Sequence, residues 1–131
     1  MPAFEGVTLS RNHFYTAQGT ERPMVVHFFS SNGTGSRRAS SVVQKVYEGD
    51  SELLVVGISE DDSAAEARQN VDELGIHFPV ILDEGGRISK LYGVSDVPAT
   101  FVITLRGSVI WVGAADESEE GVRAAVRVAR R

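Results

Sequence analysis

Cysteine does not occur among the 131 residues of this chain. Its absence excludes disulfides, thiolate metal sites and every mechanism that needs a thiolate nucleophile. It leaves the redox compartment open. Long apolar runs are missing too, so no segment is suited to cross a bilayer, and residues 1–10 do not have the pattern of a signal peptide. Basic residues are outnumbered: 13 Lys and Arg stand against 18 Asp and Glu, giving a net charge of −5 and a pI of about 5.1. That balance favours neither nucleic acid nor an anionic membrane. There is no internal repeat, linker or low-complexity tract. The length suits one domain with one core, large enough to need neither disulfides nor a structural metal.

What is present is organised around residues 24–38, Met-Val-Val-His-Phe-Phe-Ser-Ser-Asn-Gly-Thr-Gly-Ser-Arg-Arg. Met24–Phe29 is almost unbroken apolar sequence, as expected of a central strand covered on both faces. Residues 30–36 contain two glycines and no large apolar side chain, which predicts a turn. From Ala39 the period changes, and Ala39, Val42, Val43, Val46 and Tyr47 share one helical face. The helix should run from near Ser36 to Tyr47 or Glu48 and stop at Gly49. In open α/β sheets the crevice beyond a strand's C-terminal end is where ligands bind. A site is therefore expected at residues 32–36.

Before this centre, residues 4–9 and 13–18 read as two short strands, with 19–23 as a turn. After it come a buried strand at 53–59 and a helix over Ala64–Leu74, capped by Asp61, Asp62 or Ser63 and ended by Gly75. A strand at 78–82, a turn at 83–86 and a short helix over Arg87–Tyr92 follow. Residues 100–105 and 108–112 predict an antiparallel hairpin around Arg106 and Gly107. The last helix is capped by Asp116 or Ser118 and buries Val122, Ala125, Val126 and Ala129. This order predicts an α/β domain with a central mixed sheet flanked by helices. The core is expected at 24–131, with 1–23 as an N-terminal extension.

The strand, turn and helix resemble the thioredoxin superfamily, in particular its TlpA/ResA-like branch and the peroxiredoxin neighbours. In that branch the strand ends Phe-Trp-Ala-Thr-Trp-Cys-Gly-Pro-Cys-Arg. Here the run is Phe28-Phe29-Ser30-Ser31-Asn32-Gly33-Thr34-Gly35-Ser36-Arg37. The aromatic pair and the arginine match. Gly33 stands at the attacking cysteine, Ser36 at the resolving cysteine and Asn32 at the tryptophan, so Gly33, Thr34, Gly35 and Ser36 form an emptied Cys-x-x-Cys. Laid on a peroxiredoxin, Thr34 matches the motif threonine but Arg37 replaces the peroxidatic cysteine. Val55-Val56-Gly57-Ile58-Ser59, Phe78-Pro79-Val80 with Asp83, Tyr92-Gly93-Val94, and Val97-Pro98-Ala99-Thr100-Phe101 extend the likeness to residues 24–113.

The resemblance implies a thioredoxin-like fold and a cis peptide bond before Pro98, with the backbone of Val97 able to pair with an extended peptide. It places His27 where the family has a buried acid. Read from its residue type alone, His27 is a core histidine with one hydrogen bond. It implies no cofactor. His13 and His77 show no metal-ligand spacing, and no metal site is expected. The acidic groups Glu60-Asp61-Asp62 and Asp116-Glu117-Glu119-Glu120 read as helix caps and solvated charge. Trp111 reads as packing. Ser36, His27 and Asp61 are potential neighbours in the fold, but nothing marks Ser36 as activated.

Three functional readings follow. The first is a redox-inactive thioredoxin-like domain that binds a protein or peptide between residues 32–36 and the Val97–Pro98 loop, with Phe29 and Tyr92 at the flanks. The second is an enzyme holding a small anion at the helix start, where Arg37 and Arg38 add charge. The third is a thiol-disulfide oxidoreductase-family protein whose cysteines were replaced or are supplied elsewhere; Ser36 suits replacement, while Gly33 and Asn32 suit natural loss. No general base or nucleophile stands out, which favours a binding role. The compartment is cytoplasmic if Met1 is the native start and extracytoplasmic if a leader was trimmed.

Overall fold

The computed structural model describes residues 2–16 and 22–131. The central strand forms where the apolar run demands it. Met24–Phe29 (β3) is buried at every position, and its β-branched and aromatic residues suit a strand packed on both faces. Leu54–Ser59 (β4) and Val80–Leu82 (β5) lie parallel to it on one side. Ala99–Ile103 (β6) pairs antiparallel with β3 on the other, and Val109–Gly113 (β7) completes the hairpin. The sheet order is β5-β4-β3-β6-β7. Its hairpin turn closes through Gly107 N–H to Thr104 O at 2.9 Å.

Helix Ser36–Glu48 (α1) starts beyond the turn that follows β3 and stops at Gly49. Helix Ala64–Leu74 (α2) is capped by Ser63, whose hydroxyl accepts from Glu66 N–H, and ends at Gly75 in the left-handed region. Helix Arg87–Tyr92 (α3) follows a 3-10 turn at Glu84–Gly86, and helix Glu119–Ala129 (α4) is capped by Ser118. Alternation along β3 divides the core. Val25 and Phe29 face Val43 and Val46 of α1 and Val122 and Val126 of α4, while Val26 and Phe28 face Ile81, Ile88 and Ile103 on the opposite side. His27 is in phase with Val25 and Phe29, so it points under α1.

Several expected strands are shorter in the structure. The first strand is only Glu5–Val7 (β1), because Thr8 turns the chain: its hydroxyl accepts from Asn12 N–H at 3.1 Å, and Arg11 N–H bonds Thr8 O. The second is His13–Tyr15 (β2); residues 17 and 18 of that expected strand, and most of the expected turn at 19–23, lie outside the described residues. This hairpin joins β5 through Leu9 N–H to Val80 O. Residues 78 and 79 precede β5 rather than belonging to it, although Pro79 O still accepts from Gly57 N–H at 2.8 Å.

Candidate functional site

The turn after β3 is built by glycines that do different work. Gly35 caps α1 at φ 81°, and a Cβ there would meet Ala115 Cβ at 2.5 Å. Both its backbone conformation and its close neighbour require glycine. Gly33 is not at positive φ. A Cβ on it would touch Ser36 Oγ and lie 2.9 Å from Val97 Cγ2. Glycine at 33 therefore lets the turn and the Val97 loop approach each other. Asp61 fixes the turn from below, accepting from Ser31 N–H at 2.8 Å and Ser31 O–H at 2.6 Å.

Between these segments lies a groove of about 580 Å³, lined by Ser30 and residues 32–34, 95–98 and 114–115. It brings Asn32, Gly33, Thr34, Val97 and Pro98 together, as the sequence implied. Ser36 lies beneath it, 2 % exposed, its hydroxyl accepting from Ser30 N–H at 3.4 Å. The Val97–Pro98 bond is cis. Among the described residues, no hydrogen bond engages the main chain of Val97.

Two expected members are absent from the groove. Phe29 is fully buried and stacks on His27, with ring centroids 5.2 Å apart. Its position in β3 points it into the core beneath α1. Tyr92 packs on Phe28 and Phe101, and its hydroxyl donates to Pro2 O at 3.1 Å on the other side of the sheet. The anion reading also weakens. Arg38 Nη1 donates to Ala115 O at 2.8 Å and Glu117 O at 2.7 Å, so its charge clamps the groove wall. The charged side chain lining the groove is acidic, Asp96.

His27 makes two hydrogen bonds rather than one: Nδ1 with Thr100 Oγ1 at 2.8 Å and Nε2 with Ser40 Oγ at 2.9 Å. Thr100 in turn donates to Glu117 Oε1 at 3.0 Å. A hydroxyl has one proton. If Thr100 gives it to Glu117, His27 must donate from Nδ1 and accept from Ser40 at Nε2. Burial lowers the His27 pKa to about 3, so the ring is neutral. A serine on a histidine with a carboxylate behind resembles a hydrolytic triad, but Ser40 is 0 % exposed and no substrate reaches it. Ser36 and Asp61 take no part.

Two acidic groups differ from expectation. Glu117 is 5 % exposed, not solvated charge, and burial raises its pKa to about 7 against the weaker opposing pull of Thr100 and Arg38. Asp61 is 7 % exposed and caps the site turn instead of α2. Glu60 is also raised, to about 8, first by burial and then by Asp83 beside it. Nothing in the linear pattern separates Glu117 from its exposed neighbours. Its burial follows from the way the segment after β7 folds back over Thr100. Among the described residues, no cluster of three or more His, Asp or Glu is arranged to hold a metal.

The AhpC/TSA family matches residues 1–112. The thiol-disulfide oxidoreductase ResA of Bacillus thuringiensis subsp. konkukian is 34% identical over 56 residues, which are 43% of this chain and 32% of that protein. The match thus spans about a third of the curated relative's length. Among solved structures, MTB dsbF superposes with a TM-score of 0.87 at 21% identity, covering 96% of this chain and 94% of the other. A thioredoxin family thiol:disulfide interchange protein from Chlorobium tepidum gives 0.84 at 24% identity, covering 99% and 94%. At these identities the likeness shows the fold, a single thioredoxin-like domain.

Proposed function

The chain belongs to the AhpC/TSA family, and from that premise we propose that it is a member without redox chemistry, a module that binds an extended protein segment in the groove at Gly33 and Val97. The observation that carries this reading is the unengaged main chain of Val97 on an open groove. An extended peptide laid there gains main-chain hydrogen bonds by strand addition, and side-chain contacts along residues 32–34 and 114–115 supply selectivity. None of this needs a thiol. Thiol-disulfide exchange and thiol peroxidation do need one, and the sequence contains none.

A displayed library of extended peptides, panned on the purified protein, tests the reading. Selected peptides should lose about tenfold or more in affinity to Val97→Pro, which deletes the main-chain donor, a change of about 1.4 kcal/mol. Arg127→Ala, beside Asp50 at the far end of α1, should leave affinity unchanged. Failure to select any peptide, or equal binding to the Val97→Pro protein with its fold intact by circular dichroism, overturns the proposal.

A further inference from the structure

One buried acid is left over by a binding role. Glu117 sits in the segment that joins β7 to α4, and the same segment supplies Ala114 and Ala115 to the groove wall. Its Oε1 accepts from Thr100, but its Oε2 is buried and has no hydrogen-bond partner. Its main-chain carbonyl and that of Ala115 are both held by the Arg38 guanidinium. Glu117 N–H donates to Ala114 O at 3.1 Å, which closes the segment into a turn. The carboxyl and the wall are therefore parts of one small rigid unit.

We propose that Glu117 is a proton-operated latch on the groove wall: protonated, it stays in its seat and holds Ala114 and Ala115 in place; ionised, it draws in water and releases them. The chemistry is asymmetric. A neutral carboxylic acid needs little in an uncharged seat, whereas a carboxylate oxygen without a donor pays the full desolvation cost. Loss of the proton to solvent is balanced by water entering, or by the side chain leaving. Either moves the turn that carries the wall.

The surroundings set where this happens. From α1, Arg38 favours the anion; from the chain beside it, Asp116 disfavours it. From β6, Thr100 donates to the anion, and behind Thr100 stands His27 of β3, which is neutral through this range. From β7 come Gly113 and the indole of Trp111, both uncharged, and both close to Oε2. In the first turn of α4 stand Glu119, paired with Arg123, and Glu120. Burial outweighs the favourable contacts and places ionisation near neutral pH.

The same event reverses the buried hydrogen-bond chain. With Glu117 ionised, protons point from Ser40 to His27 to Thr100 to the carboxylate. With Glu117 protonated on Oε1, the acid can donate to Thr100, Thr100 to His27 Nδ1, and His27 Nε2 to Ser40. The tautomer of His27 thus reports the state of an acid in another element.

The latch concerns the groove of the proposed function but not its occupant, so its test uses no ligand. Labelled protein is titrated between about pH 5 and about pH 9 by NMR. The Glu117 side-chain carboxyl, the amides of Ala114, Ala115 and Gly33, and the ring nitrogens of His27 should share one midpoint near neutrality. Fluorescence of Trp111, the single tryptophan, should follow it. Glu117→Gln should abolish that step and keep the titration of Glu60. Thr100→Val, which removes the donor to the carboxylate, should move the midpoint upward. A Glu117 that titrates as an exposed carboxylate overturns the proposal. So does a groove step that survives in Glu117→Gln, or a Glu117 titration to which the Ala114 and Ala115 amides do not respond. If Glu117→Gln does not fold, the carboxyl and amide midpoints of the unaltered protein still decide.

Discussion

The resemblance lays Gly33 and Ser36 on the two cysteine positions of the family's motif, and the turn allows that alignment to be tested. An added Cβ at 33 would touch Ser36 Oγ, so side-chain atoms at these positions are adjacent in the turn. Since Gly33 is not at positive φ, a side chain there faces crowding rather than backbone strain. The obstacle is Val97 Cγ2 at 2.9 Å, the tip of a side chain that can yield. The double variant Gly33→Cys with Ser36→Cys should therefore fold and form an internal disulfide under mild oxidant. Closure needs Cα atoms about 4.4–6.8 Å apart, within reach of one turn at a helix start. It should be a poor reductase, since neither the motif proline nor the buried acid beneath the turn is in place. Thiol titration and mass measurement before and after oxidation check this. Two thiols that stay free in folded protein would show that the turn is not the emptied motif.

At the level of elements, Asp61 and Ser63 look interchangeable as caps of α2 but have different loads. Ser63 accepts one exposed N–H, from Glu66 at 3.2 Å. Ser63→Ala should cost about 1 kcal/mol, the usual value of an N-cap. Asp61 ties the start of α2 to the turn after β3 through two bonds from Ser31. Its removal leaves a part-buried N–H without a partner, at a cost of about 1–3 kcal/mol. Asp61→Ala should thus destabilise more than Ser63→Ala in urea unfolding. It should also speed exchange of the amides at 31–34, which Ser63→Ala should not. Equal losses, with no local effect on the turn, would mean that Asp61 acts only as a cap.

Across the whole molecule, two buried groups and the half-buried Glu60 give stability a pH dependence with opposing signs. Glu60 and Glu117 have folded pKa values of about 8 and about 7, above the ordinary 4.5. The folded state binds more protons than the unfolded one in that window, so both favour folding at low pH and lose that contribution as pH rises through their folded values. His27 is depressed from 6.5 to about 3. Its contribution is present above 6.5 and is lost as pH falls toward 3. From 6.5 upward only the carboxylates change among these three, and the melting temperature should decline toward pH 8. Glu60→Gln and Glu117→Gln should each flatten that decline, and the pair together more than either. A melting temperature that rises over this interval, or Gln variants with unaltered slope, would contradict it.

The sequence alone determined the order and type of the elements from Met24 onward. Their signals are local: an apolar run for β3, a 3.6-residue period for α1 and α4, glycines at helix ends. It also determined that this sequence supplies no thiolate of its own, since that needs only a count. By resemblance it located the groove at Asn32, Gly33, Val97 and Pro98, and the structure does bring these together. It misplaced Phe29 and Tyr92 because nearness to a turn in sequence does not say which face of a sheet a side chain takes. Tertiary structure alone decided the polar interior. The chain Ser40–His27–Thr100–Glu117 draws on four separate segments, with separations of 13, 73 and 17 residues between successive partners. No local period encodes such a contact. An acid beside a helix start is ordinarily solvated, and only the folding of its loop over Thr100 puts Glu117 inside, where burial changes its charge.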